Sequence, residues 1–402
     1  RKEKNELIHK VEKMEKERIN MEAKLKKFLT PGQLKRVLNP DNNYLRWSGD
    51  DIASAISLRS VSPKTYRYLR SNGYPLPALS TLRKWASSLT LDKGILKEVM
   101  NLMKTQSHQL KESEKLCILS FDEMYLSNRI DIDKTQQKVI GPHKSCQTIM
   151  ARGLINNWKQ PIFYNFDQAM TPDILNNIIA RLYAAGFTVV GIVSDMGTSN
   201  TKLWSKLNVG YDKNCWFQHS GNENLKVFVF ADVPHLLKLL RNHLIDAGFW
   251  INHILVDTIC LESLLGISTT ELSIAYKISR YHLDLKGSER QKVNPAAQLL
   301  SETTSKAIQF CGTHKLIPSK LPWREVAEFV HIINDWFDLF NSRSKLEQND
   351  LKKSAFGTNI ENQKKLLHKT TDMVQKMIVG KHKSLIPFQK GIILSNHSLE
   401  QL

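Results

Sequence analysis

Two aspartates stand at the ends of the two most apolar stretches in the middle of the chain. Asp122 follows KLCILSF (115–121) and Asp195 follows FTVVGIVS (187–194). Solid apolar runs of this length read as buried strands, so each carboxylate is expected where a strand ends and the sheet meets water. If the strands are neighbours, the carboxylates converge at one edge and can share divalent cations, as oxygen-ligand Mg²⁺ sites do. Two cations held there would activate an attacking oxygen and stabilise a leaving one, which is what in-line displacement at a phosphodiester requires. Aspartate at a strand end is also ordinary turn chemistry, so the pair carries the reading and neither residue does alone.

The surroundings of that pair are basic. The 402 residues hold 57 Lys plus Arg against 39 Asp plus Glu, a formal charge of +18, which points to a polyanionic partner and away from an ordinary metabolic enzyme. With 41% hydrophobic residues the chain can bury real cores, and at roughly 100–200 residues per domain its length suggests several of them. No apolar run reaches the ~18 residues of a membrane span, and no signal-peptide pattern follows Arg1, so the chain reads as a soluble fragment. Five cysteines, odd in number and widely spaced, form neither a disulfide framework nor a CxxC zinc knuckle, which suits a reduced cytosolic or nuclear setting. There is no GxxxxGK[ST] loop, so a Walker-type NTPase is not supported.

Periodicity then supplies elements to position these residues. Leu7, Val11, Met14, Met21, Leu25 and Phe28 follow an a/d heptad seam if Arg18 is counted in the series, predicting a helix that pairs with its own copy or docks on its own protein. From 50 to 89 three short helical patterns follow: one capped by Asp50 or Asp51, one by Ser62 with Pro63 at its first position, and one by Ser80. They read as a helix-turn-helix module, with Leu79, Leu82 and Trp85 inward and Thr81, Arg83 and Lys84 toward a groove. After a polar helix at 92–111, strands are expected at 115–121, 137–140, 149–155 and 161–166, the first of them central. A helix from Pro172 to Ala185, the strand 187–194, a helix at 198–207, the strand 226–231 and a helix capped by Asp232 complete a mixed sheet flanked by helices. The remainder is helical by pattern, most clearly at 261–277, 323–340 and 359–379. The fold class is therefore α/β plus all-α. Trp158, Trp204 and Trp216 read as packing residues more than as base-stacking platforms.

Three strings, SFDEMYLS (120–127), VGIVSDMGTSN (190–200) and FADVPHLLKLLRN (230–242), closely resemble the P-element and THAP-type DNA transposase family, and the resemblance runs over essentially the whole chain. It implies a coiled-coil dimerisation helix at 1–29, a helix-turn-helix DNA-binding domain at 30–111, a ribonuclease H-like catalytic domain at 112–250 and a helical GTP-binding insertion at 251–402. The family's acidic triad would use Asp122 and Asp195 to hold two Mg²⁺. Its third member is a Glu in a context like ENFF on a helix after the insertion. No such string occurs and Glu361 and Glu400 lack that context, so the third acid is expected beyond Leu402. A THAP zinc finger would precede Arg1. GTP is implied as an assembly cofactor that is not hydrolysed, with Lys277, Lys292 and Val293 near the nucleotide and Asn334, Asp335 and Asp338 on its base or on a water-bound metal. The implied activity is a transposase that cuts transposon ends and joins the 3′-hydroxyl to target DNA in the nucleus.

The residues expected on DNA are Arg59, Lys64, Arg67, Arg70, Thr81, Arg83 and Lys84 in the helical module, and His235, Lys238 and Arg241, which share one helix face at steps of three. Each also reads as a solvated basic surface. The alternative function is a catalytically inactive, dimeric DNA-binding repressor of the same family. A guanine-nucleotide switch is disfavoured by the missing phosphate loop.

Overall fold

Ser48 and Asp51 set the first globular unit. The computed structural model describes residues 2–40, 45–87, 92–108, 110–133, 137–156, 158–267, 274–342 and 354–402, and the chain divides into two units, Arg1–Leu91 and Asp92–Leu402. The first unit opens with α1 (Lys2–Leu25), whose Leu7, Val11, Met14 and Met21 are exposed along its length. Next come α2 (Pro31–Leu38), α3 (Gly49–Val61), α4 (Pro63–Ser71) and α5 (Leu79–Ala86). Ile52, Ala55, Tyr66 and Leu82 form its core, and the Tyr66 hydroxyl donates to the Pro77 carbonyl at 2.7 Å.

Two of the expected caps are corrected here. Ser48, not Asp50 or Asp51, is the N-cap of α3, with Asp51 reaching back as the third residue of a capping box. Helix α5 starts at Leu79 with Ala78 at its N-cap, so Ser80 lies inside it. Ser62 does cap α4, accepting from Thr65 N at 3.2 Å with Pro63 following. On α5 Leu82 is buried while Trp85, expected inward, is exposed. Arg83 and Lys84 are exposed, as are Lys64, Arg67 and Arg70 on α4.

The second unit begins earlier than the 111/112 boundary expected from the sequence. β1 (Gly94–Ile95) pairs with β6 (Lys159–Phe166), and α6 (Lys97–Ser107) buries Met100 and Met103 in the same core as the sheet. The main sheet has seven strands in the order β1-β6-β5-β2-β7-β9-β8, with β2 (Leu116–Tyr125), β5 (Ser145–Gly153), β7 (Thr188–Ser194), β8 (Trp216–Gln218) and β9 (Lys226–Ala231). β2, β7 and β9 run parallel, and β5 and β6 are antiparallel to their neighbours. The apolar run of β2 thus occupies the centre, where a strand covered on both faces belongs. The expected strand at 137–140 is not in this sheet: β3 (Asp131–Asp133) and β4 (Lys138–Ile140) form a separate two-stranded ribbon.

Thr171 caps α7 (Pro172–Ala184), which buries Leu175, Ile178, Ile179 and Leu182 and packs on β7. Then follow α8 (Thr198–Lys206), α9 (Val233–Asp246) and the strands β10 (Phe249–Ile251) and β11 (Ile254–Val256). The helix expected at 261–277 is shorter: α10 ends at Ile267, residues 268–273 lie outside the described residues, and 274–277 form a turn. Helices α11 (Val293–Leu299), α12 (Glu302–Thr313), α13 (Trp323–Phe340) and α14 (Ile360–Lys376), strand β12 (Ile378–Val379) and helix α15 (Pro387–Gln401) complete the chain. The last helix returns to the sheet, where the Ser395 hydroxyl accepts from Ala231 N at 3.0 Å and Ser398 bonds the Val229 carbonyl. Residues at the C-terminal end of the expected insertion therefore cover β9.

Candidate carboxylate edge

Strand register brings the acids together. Ser120 on β2 is level with Val193 on β7, and Ser194 on β7 is level with Ala231 on β9. Asp122 and Asp195 each lie two residues past the first pair, so with side chains alternating along a strand they stand level and on one face. Asp232 is one residue past the second pair and level with Asp195. On the other side of β2, Thr148 pairs directly with Asp122 and Met150 with Ser120. The row Thr148, Asp122, Asp195, Asp232 crosses four adjacent strands spaced about 4.8 Å apart. It lines an open cleft of about 560 Å³ together with Ser120, Val193, His235 and Lys238.

The three carboxylates differ in how they are held. Asp195 Oδ1 accepts from Gly197 N at 3.0 Å and from Asn200 Nδ2 at 2.6 Å, so the turn into α8 fixes its rotamer. Asp122 is exposed and accepts from the following backbone N–H of Glu123 at 2.8 Å. Asp232 is the N-cap of α9, as expected, but its side chain is held there only weakly: no capping hydrogen bond has good geometry, and the backbone N–H of His235 is its one nearby backbone donor. Burial pushes its carboxyl above the usual range; the charges of His235 and Lys238 and the His235 backbone N–H only partly offset this, and the charge of Asp122 adds to it. A half-buried acid beside a second acid, with one lysine near, is an environment that a cation would stabilise. Oxygen donors in this density suit a hard divalent ion such as Mg²⁺, so the residues present fit the metal expected from the sequence. Asp232 was legible as a strand-end aspartate but was hidden by the Pro that follows two residues later, which favours a helix-start reading.

Along α9 the expected basic face divides. His235 and Lys238 line the cleft. Arg241 is fully buried, its Nη2 donating to the Arg290 carbonyl at 2.7 Å, so it is withdrawn from any DNA backbone. The three-residue steps carry it under the segment before α11, where Arg290 also pairs with Asp246 at 2.6 Å. Glu400 pairs with His368 at 2.8 Å and Glu361 lies in the first turn of α14; neither lines the cleft. Trp204 is buried, and Trp158 and Trp216 pack against the core.

Of the residues expected around a nucleotide, three are brought together. Asn334, Asp335 and Asp338 are clustered on α13, with Asn334 Nδ2 donating to Asp338 Oδ2 at 3.1 Å and Asp335 Oδ1 at 3.4 Å. His331 and Glu302 extend the cluster, at 2.6 Å from Nδ1 to Oε2. Lys277 is exposed beside the Tyr276 ring, and Lys292 pairs with Glu289 at 3.3 Å just before Val293 opens α11.

Residues 91–208 match the family model for a TNP-like, RNase H N-terminal domain, and residues 234–354 match that for a TNP-like, GTP-binding insertion domain. The chain is 38% identical over 383 residues to the Transposable element P transposase of Drosophila melanogaster, covering 95% of this chain and 50% of that protein. It is 27% identical over 319 residues to DNA transposase THAP9 of Homo sapiens, covering 72% of this chain and 34% of that one. The chain thus spans half the length of the first relative and less of the second. Among solved structures it resembles the Drosophila P element transposase strand transfer complex, with a TM-score of 0.81, 35% identity, and coverage of 95% of this chain and 85% of that one.

Proposed function

From the premise that the chain belongs to the P-element transposase family, we propose that it is the core of a DNA transposase that cuts transposon ends and joins the freed 3′-hydroxyl to target DNA at the carboxylate edge. The observation that carries this reading is the level row of Asp122, Asp195 and Asp232 across three parallel strands. Asp122 and Asp195 would hold two Mg²⁺, with Asp232 as a third acid of the same edge. When bound, the cations would lower the barrier at the scissile phosphate by polarising its oxygens and the attacking hydroxyl. The chain's own part is positional. Asn200 and Gly197 lock the Asp195 rotamer, while Lys238 and His235 offer donors to phosphate oxygens at the cleft wall. Cutting and joining are both in-line displacements, so one edge serves both.

The first unit supplies DNA affinity through Arg67, Arg70, Arg83 and Lys84, with Arg59, Lys64 and Thr81 beside them, and the exposed apolar stripe of α1 supplies pairing with a second copy. GTP is read as an assembly cofactor of the insertion, with Lys277, Lys292 and Val293 toward its phosphates and Asn334, Asp335 and Asp338 toward its base or a water-bound Mg²⁺. The basic charge and the proposed DNA substrate support a nuclear location. No described helix is long and apolar enough to cross a membrane.

The test is strand joining of a labelled 3′-hydroxyl DNA end into plasmid with Mg²⁺ present. Joining by the unmodified protein and its loss in Asp122→Ala and Asp195→Ala, with binding kept, supports the reading. Joining that persists in both variants removes the site assignment. Binding without any joining by the unmodified protein favours the repressor alternative.

A further inference from the structure

Strand β2 does not stop at the carboxylate edge. It continues through Met124 and Tyr125, which are 60% and 85% exposed, and leads into an arm that returns at Ser145 as β5. The root of the arm is firmly held. His143 stacks on Phe166 with centroids 4.2 Å apart, and its Nδ1 lies 2.9 Å from Asp167 Oδ2. Asp167 Oδ1 accepts from the backbone N–H groups of Lys144 and Ser145 at 2.7 and 2.9 Å. Leu126 N donates to the Lys144 carbonyl at 2.8 Å.

Beyond that root the arm is the β3–β4 ribbon, in which Ile132 faces Val139 across the strands. Both are more than half exposed, as is Ile130 just before β3. A two-stranded ribbon is marginal in water by itself, and a contiguous apolar face left open marks an interaction site. Arg129, Lys138 and Lys144 are exposed around it.

The occupant follows from position. Three residues of strand, at about 3.3 Å each, put Tyr125 about 10 Å beyond Asp122, less than the ~12 Å width of a major groove. A duplex that lies along β2 with a phosphate on the carboxylate row therefore passes over the start of the arm. Cations at the ribbon's flanks match phosphates, while β-branched apolar side chains at its centre match the faces of bases opened at one step. We propose that the described parts of the arm, 126–133 and 137–144, form a DNA wedge. Arg129, Lys138 and Lys144 track the backbone beside the cut, and the Ile132–Val139 pair enters between neighbouring base pairs and unstacks them. The proposal rests on the cleft being the DNA-cutting edge.

The experiment uses the full chain and a nicked duplex with a fluorescent purine analogue at positions flanking the nick. Binding by the unmodified protein is expected to raise the fluorescence, reporting an unstacked step. The double variant Ile132→Ser with Val139→Ser is expected to lose that rise while retaining salt-dependent binding and an unchanged melting temperature, since both side chains are exposed. Arg129→Ala is expected to weaken binding and leave the rise at saturation. A rise that persists in the double variant, or no rise with the unmodified protein, overturns the wedge. A fall in molecular mass by light scattering in the double variant with the rise intact assigns the face to a second copy and overturns it equally. The cleft reading fails separately, if Asp122→Ala still joins DNA.

Discussion

Asp51 in the first unit and Asp232 in the second are both withdrawn from water, and their surroundings treat them oppositely. Asp51 is 2% exposed. Its Oδ1 accepts from Gly32 N at 2.9 Å, and its Oδ2 accepts from Ser48 N at 2.7 Å and Ser48 Oγ at 2.8 Å. Burial pushes its carboxyl up, and the Thr30 hydroxyl together with those donors outweighs burial and holds it below the usual range. Asp232 has burial, only the His235 backbone N–H as a donor and a carboxylate neighbour as well; burial prevails and it is pushed up. A saturated buried acid is a structural knot tying α2 to α3. One with fewer donors at a strand end, level with two others, is a place prepared for an ion.

The sharpest way to break this contrast is to neutralise the open edge. Asp122→Asn or Asp195→Asn is expected to lower strand cutting by on the order of a hundredfold or more, as loss of a charge-stabilising group at a reacting phosphate does, with melting temperature and DNA affinity nearly unchanged. Gel assay of cutting beside a thermal melt checks both halves. If instead the variants melt early and cut in proportion to the folded fraction, the edge is structural like Asp51.

The converse substitution acts on stability and spares the chemistry. Asp51→Ala strips the acceptor from three donors and is expected to cost about 3 kcal/mol, at ~1 kcal/mol or more per buried donor left unpaired. In a unit whose core is Ile52, Ala55, Tyr66 and Leu82, where a side chain such as Ile52 or Leu82 is worth up to about 3 kcal/mol on burial, that is a large share. Calorimetry is expected to show an early transition for residues 1–91 while the sheet unit melts as before. Gly32→Ala tests the same knot, because an added Cβ there would collide with the Asp51 carboxylate. Between these effects and the smallest lies the α5 surface. Arg83→Ala and Lys84→Ala are each expected to reduce the slope of log affinity against log salt by about one unit and to leave cutting by bound protein intact.

How much of this was legible follows the same divide between local and long-range causes. The strands carrying Asp122 and Asp195 announce themselves as apolar runs, and Ser62-Pro63 and Thr171-Pro172 announce their helices, because cap and periodicity are properties of a few neighbouring residues. Ser48 was missed although the capping box S-x-x-D stands in the sequence, since the adjacent Asp50 and Asp51 are equally good caps. The burial of Arg241 could not be read from helix spacing: its face is set by the segment at 287–291, which arrives some fifty residues later. The separate β3–β4 ribbon was hidden for the same reason, as alternation at 137–140 specifies a strand and says nothing of which sheet it joins. Asp232 needed the register of β9 against β7, a long-range fact.

The smallest expected effect is the most direct measure of the open site. Asp232→Asn keeps the shape and removes the charge that burial and Asp122 oppose. The folded-state pKa of Asp232 is raised, so the wild type is at its best with that group protonated, below the ordinary carboxylate pKa of ~4, and loses stability as pH climbs through the raised value. The variant escapes that loss. Its melting temperature without divalent ions is expected to exceed that of the wild type by a few degrees at neutral pH, the difference shrinking to nothing as pH falls below about 4. Mg²⁺ is expected to close the gap from the other side by stabilising the wild type more than the variant. A variant that melts lower at neutral pH, or an Mg²⁺ response equal in both proteins, means that a protein group neutralises Asp232, which makes it a second Asp51.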